Sequence, residues 1–200
     1  MLILETERLT LRPVTAEDLP ALYQLVYADE AVSYWWTNWP PITYERMQER
    51  WAPRLNLPDG AFGWLVALRR EDEELLGLVA LQRYAPGETE SYLVFDGRPN
   101  TVGQDPAFPE CELTYAFGSA FWGQGYASEA CRALLAYGFD TLGLGRVINA
   151  VCSLNAPSIQ LMQRLGFRIE RNLHLKPYPH IDAPGVVGIL ERPGSPSPPR

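Results

Sequence analysis

The sequence predicts a mixed α/β domain, and three observations carry that prediction. Apolar and polar residues alternate near the N-terminus, in residues 2–14. Two β-rich runs flank an acidic turn at residues 71–73, and a strand, a helix and a strand follow one another over residues 111–153. A strand–helix–strand succession implies a parallel pair of strands joined by a right-handed crossover.

The N-terminal part predicts one strand and two helices. LILETERLTLRPV has the alternation of a half-buried strand. Thr15 and Asp18 have the spacing of a capping box with Asp in place of Glu, which predicts a helix over TAEDLPALYQLVYADE. SYWWTNWPP at residues 33–41 is typical of a loop, and a second helix is predicted from Thr43 to about Leu55.

The middle of the chain predicts a hairpin, a long insertion and a further strand. AFGWLVALRR and ELLGLVALQRY flank the acidic turn and therefore predict an antiparallel pair. Residues 86–110 carry Pro, Gly, Asp and Glu with little periodicity, which indicates a functional flap or a poorly ordered loop. CELTYAFGS is strand-like again.

The C-terminal part alternates helices and strands. A helix is predicted to about Asp140, RVINAVCS is a buried strand, and residues 155–165 form a short helix that ends at the C′ glycine Gly166. FRIERNLHLK and VVGILE predict the last strands. We expect residues 1–192 to form one domain and the Pro/Ser-rich residues 193–200 to be a disordered tail.

Composition excludes some classes of function. The 200-residue chain has a formal net charge of −7, which argues against nucleic acid as a partner because phosphate contacts need clustered Lys and Arg. The three cysteines lie far apart in apolar patterns, so buried thiols in a reducing compartment are favoured over a metal site. Without a signal-like N-terminus or a long apolar run, we expect a soluble, cytoplasmic protein with no membrane contact.

The stretch FWGQGYASEA, residues 121–130, poses the main functional question. Two glycines open directly into a helical pattern, and such a turn directs free backbone N–H groups at an anion. The dinucleotide motif is incomplete because Ser128 stands where its last glycine would be. The nucleoside-triphosphate loop is also excluded, since no lysine is present. A diphosphate cradle and a plain tight turn both remain open.

Four motifs in order resemble the GNAT N-acetyltransferases. They are ELTYAF from Glu112, WGQGYASEA from Trp122, NAPS from Asn155 and LGF from Leu165. With the opening LETERLTLRPVTAEDLPALYQL, they look like the branch that acetylates ribosomal-protein N-termini. The resemblance implies a mostly antiparallel central sheet of about seven strands with a splayed parallel pair, and about four helices. It also leaves a homodimer open.

The resemblance implies acetyl-CoA as the cofactor and assigns residues to it. In the family pattern Q/R-x-x-G-x-G/A, Trp122 replaces the Gln or Arg. The backbone from Gly123 to Ser128 would hold the diphosphate, and a backbone N–H near Phe117 would polarise the thioester carbonyl. Asn155 is a good N-cap for the short helix, and it also matches the family residue that binds pantetheine or orders the site. The implied cofactor-binding residues are Phe117, Trp122, Gly123, Gln124, Gly125, Tyr126, Ala127, Ser128 and Asn155.

Two residues are candidates for the acid–base chemistry. Glu112 lies at a strand start, where its alternation partners Thr114 and Ala116 give a polar, small face, and it would act as the base directly or through water. Many family members carry a tyrosine that protonates the leaving thiolate, but Met162 stands at that position. By resemblance Ser158 takes this role as a hydrogen-bond donor; otherwise it is only a helix-start serine.

The aromatic loop is the candidate acceptor pocket, because the loop between the first two helices borders that pocket in the family. The candidate residues are Tyr34, Trp35, Trp36, Trp39 and Tyr115. Aromatic residues favour binding surfaces, although a packing role in the core explains them too.

The sequence therefore predicts an N-acetyltransferase that acts on a protein N-terminus or a small amine such as an aminoglycoside or polyamine. Direct transfer in a ternary complex is expected, because no cysteine stands at a motif position. A non-catalytic acyl-CoA sensor of the same fold is the alternative, favoured by the missing tyrosine. A dinucleotide oxidoreductase is disfavoured by the incomplete glycine motif.

Overall fold

The structure is a computed structural model that describes residues 2–36, 41–55, 63–83, 110–172, 180–192 and 194. These residues form two compact units. The first unit comprises the described residues of 1–82 and 114–134, and the second those of 83–113 and 135–200. The predicted insertion at residues 86–110, apart from its last residue, and the predicted tail, apart from Gly194, lie outside the described residues.

The secondary structure is mixed α/β, as predicted. The strands are β1 (Leu4–Glu5), β2 (Leu9–Pro13), β3 (Gly63–Arg69), β4 (Leu75–Arg83), β5 (Glu110–Phe117), β6 (Arg146–Cys152), β7 (Arg168–Asn172) and β8 (Gly185–Glu191). The helices are α1 (Leu19–Leu22), α2 (Glu30–Ser33), α3 (Tyr44–Leu55), α4 (Tyr126–Ala136) and α5 (Ala156–Arg164). Short 3₁₀ turns at Ala16–Asp18 and Ser119–Phe121 and π turns at Tyr23–Tyr27 and Tyr137–Thr141 extend these elements.

In the first unit the strand order is β1-β2-β3-β4-β5. β1 to β4 pair in antiparallel fashion, and the acidic turn predicted between β3 and β4 is present, with Glu73 at φ 59°. The predicted first strand is divided in two. Thr6 makes the turn, because its N–H donates to the Leu9 carbonyl at 2.9 Å while its hydroxyl accepts from the Leu9 N–H at 2.9 Å.

The core of the first unit joins its helices to its sheet. It includes Leu22 and Val26 from the first helical segment, Trp51 from α3, Val66 from β3 and Leu78 from β4. These apolar side chains fall at helical and strand spacings, so the amphipathic patterns place them on one buried face. The Trp51 indole N–H donates to the buried Tyr27 hydroxyl at 3.0 Å.

The predicted capping box at the start of the first helical segment is confirmed. The Thr15 N–H donates to Asp18 Oδ2 at 2.8 Å. Asp18 also accepts two bonds of 2.7 Å from the Arg12 guanidinium, although its residue is only 7% exposed. Burial raises the pKa of Asp18, but the bonds from Arg12 and Thr15 outweigh it and lower the pKa below its ordinary value.

The helix predicted to continue to Glu30 ends earlier. A π turn closes it at Tyr27, and Asp29 then starts α2 by accepting hydrogen bonds from the N–H groups of Ala31 and Val32. An aspartate two residues after the last helical position offers the backbone an N-cap, so a new helix begins there. Ser33, which was expected in the aromatic loop, is therefore the last residue of α2.

In the second unit the strand order is β5-β6-β8-β7. β6, β8 and β7 pair in antiparallel fashion, whereas β5 and β6 are parallel, as the strand–helix–strand pattern predicted. The parallel register is short, with pairs from Glu110↔Arg146 to Glu112↔Ile148. β5 belongs to both units, since residues 114–117 are part of the first.

No helix in the described ranges is long and apolar enough to cross a membrane. The prediction of one domain from residue 1 to residue 192 stays a prediction, because the two units are each compact.

The Arg12–Asp18 pair makes stability depend on pH. Because the pKa of Asp18 is lower in the folded chain, its contribution is present above the unfolded-state pKa of about 3.9 and is lost as pH falls through the lower folded-state value. Asp18→Asn should lower the free energy of unfolding by about 2–3 kcal/mol at pH 7. Denaturant titrations at several pH values test this, and the deficit should shrink in acid.

Glu49→Gln is the matched control, because Glu49 forms an exposed ion pair with Arg46 at 2.5 Å on α3. Exposed pairs contribute little to stability, so this variant should unfold like the unaltered chain. An equal loss in both variants, or a deficit for Asp18→Asn that persists unchanged in acid, would contradict the role assigned to the buried pair.

Candidate active site

The glycine stretch forms an exposed turn that leads directly into α4. Gly123 and Gly125 have φ values of 76° and 84°, a conformation that side chains other than glycine rarely adopt. A Cβ atom at Gly123 would meet nothing within 4 Å, so the backbone there lies open to an approaching group. The glycines are thus required both for the turn and for close access to its backbone.

The start of α4 provides backbone donors beside this turn. Glu129 makes the first intrahelical bond, to the Gly125 carbonyl at 3.0 Å. The N–H groups of Tyr126, Ala127 and Ser128 precede that bond and belong to the orphan donors of a helix N-terminus. The helix dipole adds partial positive charge at the same end. An anion is the chemical partner that such a terminus favours.

Sequence reasoning missed Arg8, which holds this turn from the segment before β2. Its Nη1 donates to the Gln124 carbonyl at 3.1 Å, and its Nε donates to Glu129 Oε2 at 2.7 Å. Its guanidinium carbon lies 4.5 Å from the centre of the Tyr126 ring. The only signal was an arginine in the N-terminal motif TERLTLR, and nothing local in the sequence connects it to residue 124.

Trp122 and Phe117 are brought together at the end of β5. The Trp122 indole N–H donates to the Phe117 carbonyl at 2.7 Å, while the side chain of Trp122 stays 46% exposed. Since the Gly118 N–H faces β4 through its bond to the Leu76 carbonyl at 3.0 Å, strand alternation turns the Phe117 N–H and C=O to the opposite edge. The amide predicted to polarise a carbonyl therefore lies on the edge of β5 that faces away from β4.

Sequence reasoning also missed Asn149 on β6. It is 5% exposed, and its Nδ2 donates to the Leu113 carbonyl at 2.6 Å, one residue beyond the last parallel pair Glu112↔Ile148. Its Oδ1 is buried and accepts no hydrogen bond from any residue that the structure describes. Buried polar atoms normally have partners, so this amide oxygen is one of the few exceptions among the buried side chains that the structure describes.

Glu112, the predicted base, lies half-buried on β5 in register with Ile148. Its predicted face is only partly polar. Thr114 is half-buried, but Ala116 is 7% exposed and belongs to the core of the first unit. The small side chain at residue 116 therefore packs inward and does not line a cleft.

Asn155 and Ser158 come together at the start of α5. Asn155 is the N-cap predicted from the sequence, and its Oδ1 accepts from the Ser158 N–H at 3.2 Å. Gly166 ends the helix region with φ 93°, as expected of a C′ glycine. The cap uses the backbone of Ser158, so it does not depend on the hydroxyl.

Met162, which the sequence places at the position of the family tyrosine, is a core residue. It is fully buried, and a Cβ atom built on Gly188 of β8 would lie 2.6 Å from its sulfur. Close approach of α5 to β8 therefore depends on glycine at residue 188. No hydroxyl and no exposed group stands at this position.

Three of the predicted aromatic acceptor residues make ring contacts in the described part of the chain. Tyr34 and Trp35 contact each other edge to face, with ring centres 4.8 Å apart. Trp36 packs on Trp64, with ring centres 5.9 Å apart, and through it on the core of the first unit. Trp39 lies outside the described residues, and Tyr115 is half-buried on β5.

A hydrogen-bonded aspartate connects α2, which leads into these aromatic residues, to the end of β5. Asp29 Oδ2 accepts from the Ser119 N–H at 3.1 Å while its Oδ1 caps α2. Burial raises the pKa of Asp29, but bonds from Ser119, Val32 and Ala31 outweigh this effect and lower it. The charged form is thereby favoured, and the segment before Tyr34 is fixed at the 3₁₀ turn Ser119–Phe121.

The glycine turn at the start of α4, the parallel pair β5–β6 and the Asn155 cap of α5 are features that the resemblance to the GNAT acyltransferases implied. The sequence model of the acetyltransferase (GNAT) domain family matches residues 8–168 of this chain. The chain belongs to this family and is an acetyltransferase. Members of the family use acetyl-CoA.

Relatives agree with this membership. The chain is 30% identical over 168 residues to the uncharacterized N-acetyltransferase p20 of Bacillus licheniformis, which covers 84% of this chain and 83% of the relative. It shares its fold with RimL, a ribosomal L7/L12 alpha-N-protein acetyltransferase solved with coenzyme A, at a TM-score of 0.73, 18% identity and coverage of 95% and 98%. It also shares the fold of a chimera of the spermidine N-acetyltransferase SpeG from Vibrio cholerae and hSSAT, at a TM-score of 0.69, 19% identity and coverage of 94% and 97%.

All three cysteines are buried thiols, as the sequence indicated. Burial raises the pKa of the Cys131 thiol far above its ordinary value, against a smaller lowering by Arg132. A thiol that stays protonated and covered is a poor nucleophile.

We therefore expect the native chain to resist Ellman's reagent, and the denatured chain to react at all three cysteines. The measurement is the absorbance of released thiolate with and without denaturant, and the denatured sample is its own control. Rapid reaction of one native thiol would show that a cysteine is accessible and would reopen a covalent acyl-cysteine.

Proposed function

We propose that this protein transfers the acetyl group of acetyl-CoA directly to a primary amine, with both substrates bound at once. The observation that carries the proposal is the exposed glycine turn at the start of α4, which offers backbone donors to a diphosphate. Family membership supports the chemistry, and the buried cysteines favour transfer without an acyl-enzyme.

The residues present fit coenzyme A. The backbone from Gly123 to Ser128 would hold the diphosphate, since a Cβ at Gly123 meets nothing and α4 begins at Tyr126. The edge of β5 from Thr114 to Phe117 would pair with the pantetheine arm, beyond the last pair that β5 makes with β6. Trp122 fixes the Phe117 peptide on that edge, and Asn155 is the further candidate contact.

Acetyl-CoA supplies an activated thioester when it is bound. The attacking amine must be neutral, and Glu112 is the proposed base that takes its proton, directly or through water. The Phe117 N–H is the proposed donor to the thioester carbonyl oxygen. The Ser158 hydroxyl is the proposed donor to the leaving sulfur, because Met162 has no hydroxyl and is buried.

For the acceptor we propose a protein N-terminus or a small amine such as a polyamine or an aminoglycoside. Two solved structures that share the fold are a ribosomal L7/L12 alpha-N-protein acetyltransferase and a chimera of a spermidine N-acetyltransferase. Tyr34, Trp35, Trp36, Trp39 and Tyr115 are the proposed lining residues. The chain's net charge of −7 suits a cationic acceptor.

A non-catalytic acyl-CoA sensor is the second candidate, and one observation favours it. The position of the family tyrosine is filled by a buried methionine packed toward Gly188, so one acid of the usual chemistry has no counterpart there. A sensor would bind the cofactor through the same glycine turn and would release no free thiol.

The proposed function is tested by thiol release from acetyl-CoA with three acceptors: a peptide with a free N-terminus, spermidine and an aminoglycoside. We expect release above background with at least one acceptor and an acetylated product of matching mass. Calorimetric binding of coenzyme A is measured in parallel. Coenzyme A binding without thiol release for any acceptor would favour the sensor. If neither coenzyme A binding nor thiol release is detected, the proposal is refuted.

Glu112→Gln should lower kcat/KM by about 10²- to 10⁴-fold near neutral pH, as expected for loss of a general base. The loss should shrink at high pH, where solvent itself deprotonates the acceptor amine. Ser158→Ala should lower kcat by about tenfold, the value of roughly one hydrogen bond in the transition state.

The thermal midpoint separates chemistry from folding in both variants. Ser158→Ala keeps the Asn155 cap of α5, because that cap uses the Ser158 N–H, and the measured midpoint shows whether the variant is still folded. Full turnover in either variant would leave that residue without its assigned role, while the family membership would stand.

A further inference from the structure

Arg8 contacts three residues in and directly after the glycine turn: Gln124, Tyr126 and Glu129. Its Nη1 donates to the Gln124 carbonyl at 3.1 Å, its guanidinium lies over the Tyr126 ring, and its Nε and Nη2 each lie 2.7 Å from Glu129 Oε2. The backbone of the same residue adds a bond, since the Arg8 N–H donates to Glu129 Oε1 at 2.8 Å. Arg8, from the turn before β2, thus forms hydrogen bonds on both sides of the junction between the glycine turn and α4.

The bond to Gln124 fixes the direction of a backbone donor. In a trans peptide the carbonyl of one residue and the N–H of the next point in opposite directions. Because Arg8 holds the Gln124 oxygen, the Gly125 N–H points away from Arg8, and Gly125 is an exposed residue. A flip of this peptide would turn a carbonyl oxygen to the side where an anion needs a donor.

Gly125 lowers the energetic cost of such a peptide flip. Gly125 has φ 84°, and glycine populates positive and negative φ about equally well, so its own backbone barely resists rotation of the preceding peptide. The direction of the donor therefore depends on a contact from outside the loop.

Glu129 holds Arg8 in place and is itself neutralised by it. Its Oε1 also accepts from the Thr6 hydroxyl at 2.6 Å, so the carboxylate is bonded on both oxygens. Within residues 121–130 it is the single charged side chain, and without Arg8 its negative charge would repel an anion at the start of α4. Loss of Arg8 thus has two separable consequences, a freed peptide and an exposed carboxylate.

We propose that Arg8 is a positioning residue for the cofactor: by holding the Gln124 carbonyl it orients the Gly125 N–H toward the diphosphate. The proposal rests on the proposed use of coenzyme A and goes beyond it, because it assigns the loop's binding geometry to a side chain more than a hundred residues away in sequence.

The test compares two donors, acetyl-CoA and S-acetyl-pantetheine, which carries the same thioester but no phosphate. Arg8→Ala should raise KM for acetyl-CoA and Kd for coenzyme A by about 10- to 100-fold, the value of a charge-assisted hydrogen bond, with little change in kcat. With S-acetyl-pantetheine the variant should equal the unaltered chain. Arg8→Lys, which keeps the charge but not the planar fork, should fall between the two.

Arg70→Ala is the matched control. Arg70 donates to the Thr6 carbonyl at 2.9 Å, so it braces the same turn before β2, and no described contact of its side chain reaches the glycine loop. It should change Kd for coenzyme A by less than about twofold. An Arg8→Ala variant that loses activity equally with both donors would be damaged as a whole, and the positioning role would be overturned.

The double variant Arg8→Ala/Glu129→Gln separates the two consequences of losing Arg8. If the freed Gln124–Gly125 peptide causes the weak binding of Arg8→Ala, coenzyme A binding stays weak when the Glu129 charge is also removed. Full recovery of Kd would show that Arg8 only neutralises Glu129 and would overturn the proposal. If the unaltered chain binds coenzyme A but transfers nothing, the Kd comparison still decides the role of Arg8. If it does not bind coenzyme A at all, both proposals fail.

Discussion

Backbone hydrogen bonding along β5 is the constraint on which the site depends. The parallel ladder with β6 stops at Glu112↔Ile148, yet the strand continues to Phe117, and its outward-facing polar groups must still find partners. Two side chains supply donors. The Asn149 amide donates to the Leu113 carbonyl, and the Trp122 indole N–H donates to the Phe117 carbonyl. Each is a donor group placed at a carbonyl on one edge of β5, while β4 pairs with the other edge.

The same constraint connects the strand to the glycine turn. Trp122 reaches back to Phe117 from the first position of the turn, which fixes where the chain leaves β5. Gly123 and Gly125 then reverse the backbone in a conformation open only to glycine without strain, and α4 begins at the next residue. Arg8 and Glu129 hold the far side of that turn. The turn is thus held at both ends by side chains, while the residues from Trp122 to Gly125 stay exposed.

The sequence predicted what depends on local rules. Periodicity gave the hairpin β3–β4 and the parallel pair, and cap chemistry gave Thr15, Asn155 and Gly166. It missed the division of the first strand at Thr6 and the helix α2 that Asp29 starts. It also missed Arg8 and Asn149, because each acts on a carbonyl that is distant in sequence, and no local pattern reports such a contact. Residue roles in the chemistry depend on a bound substrate and stay predictions.

The packing of Met162 limits how this chain can replace the family tyrosine. Residues 158 and 162 are one helical turn apart on α5, so they lie on the same side of the helix. Met162 is buried close to Gly188, where no side chain beyond glycine fits, and this contact sets how α5 lies on β8. A donor on this side of α5 is therefore confined to the first turn, where Ser158 stands half-buried beside the Asn155 cap. The proposed assignment of the sulfur donor to Ser158 rests on this arrangement, because Ser158 carries the one hydroxyl among the residues of α5, Ala156–Arg164.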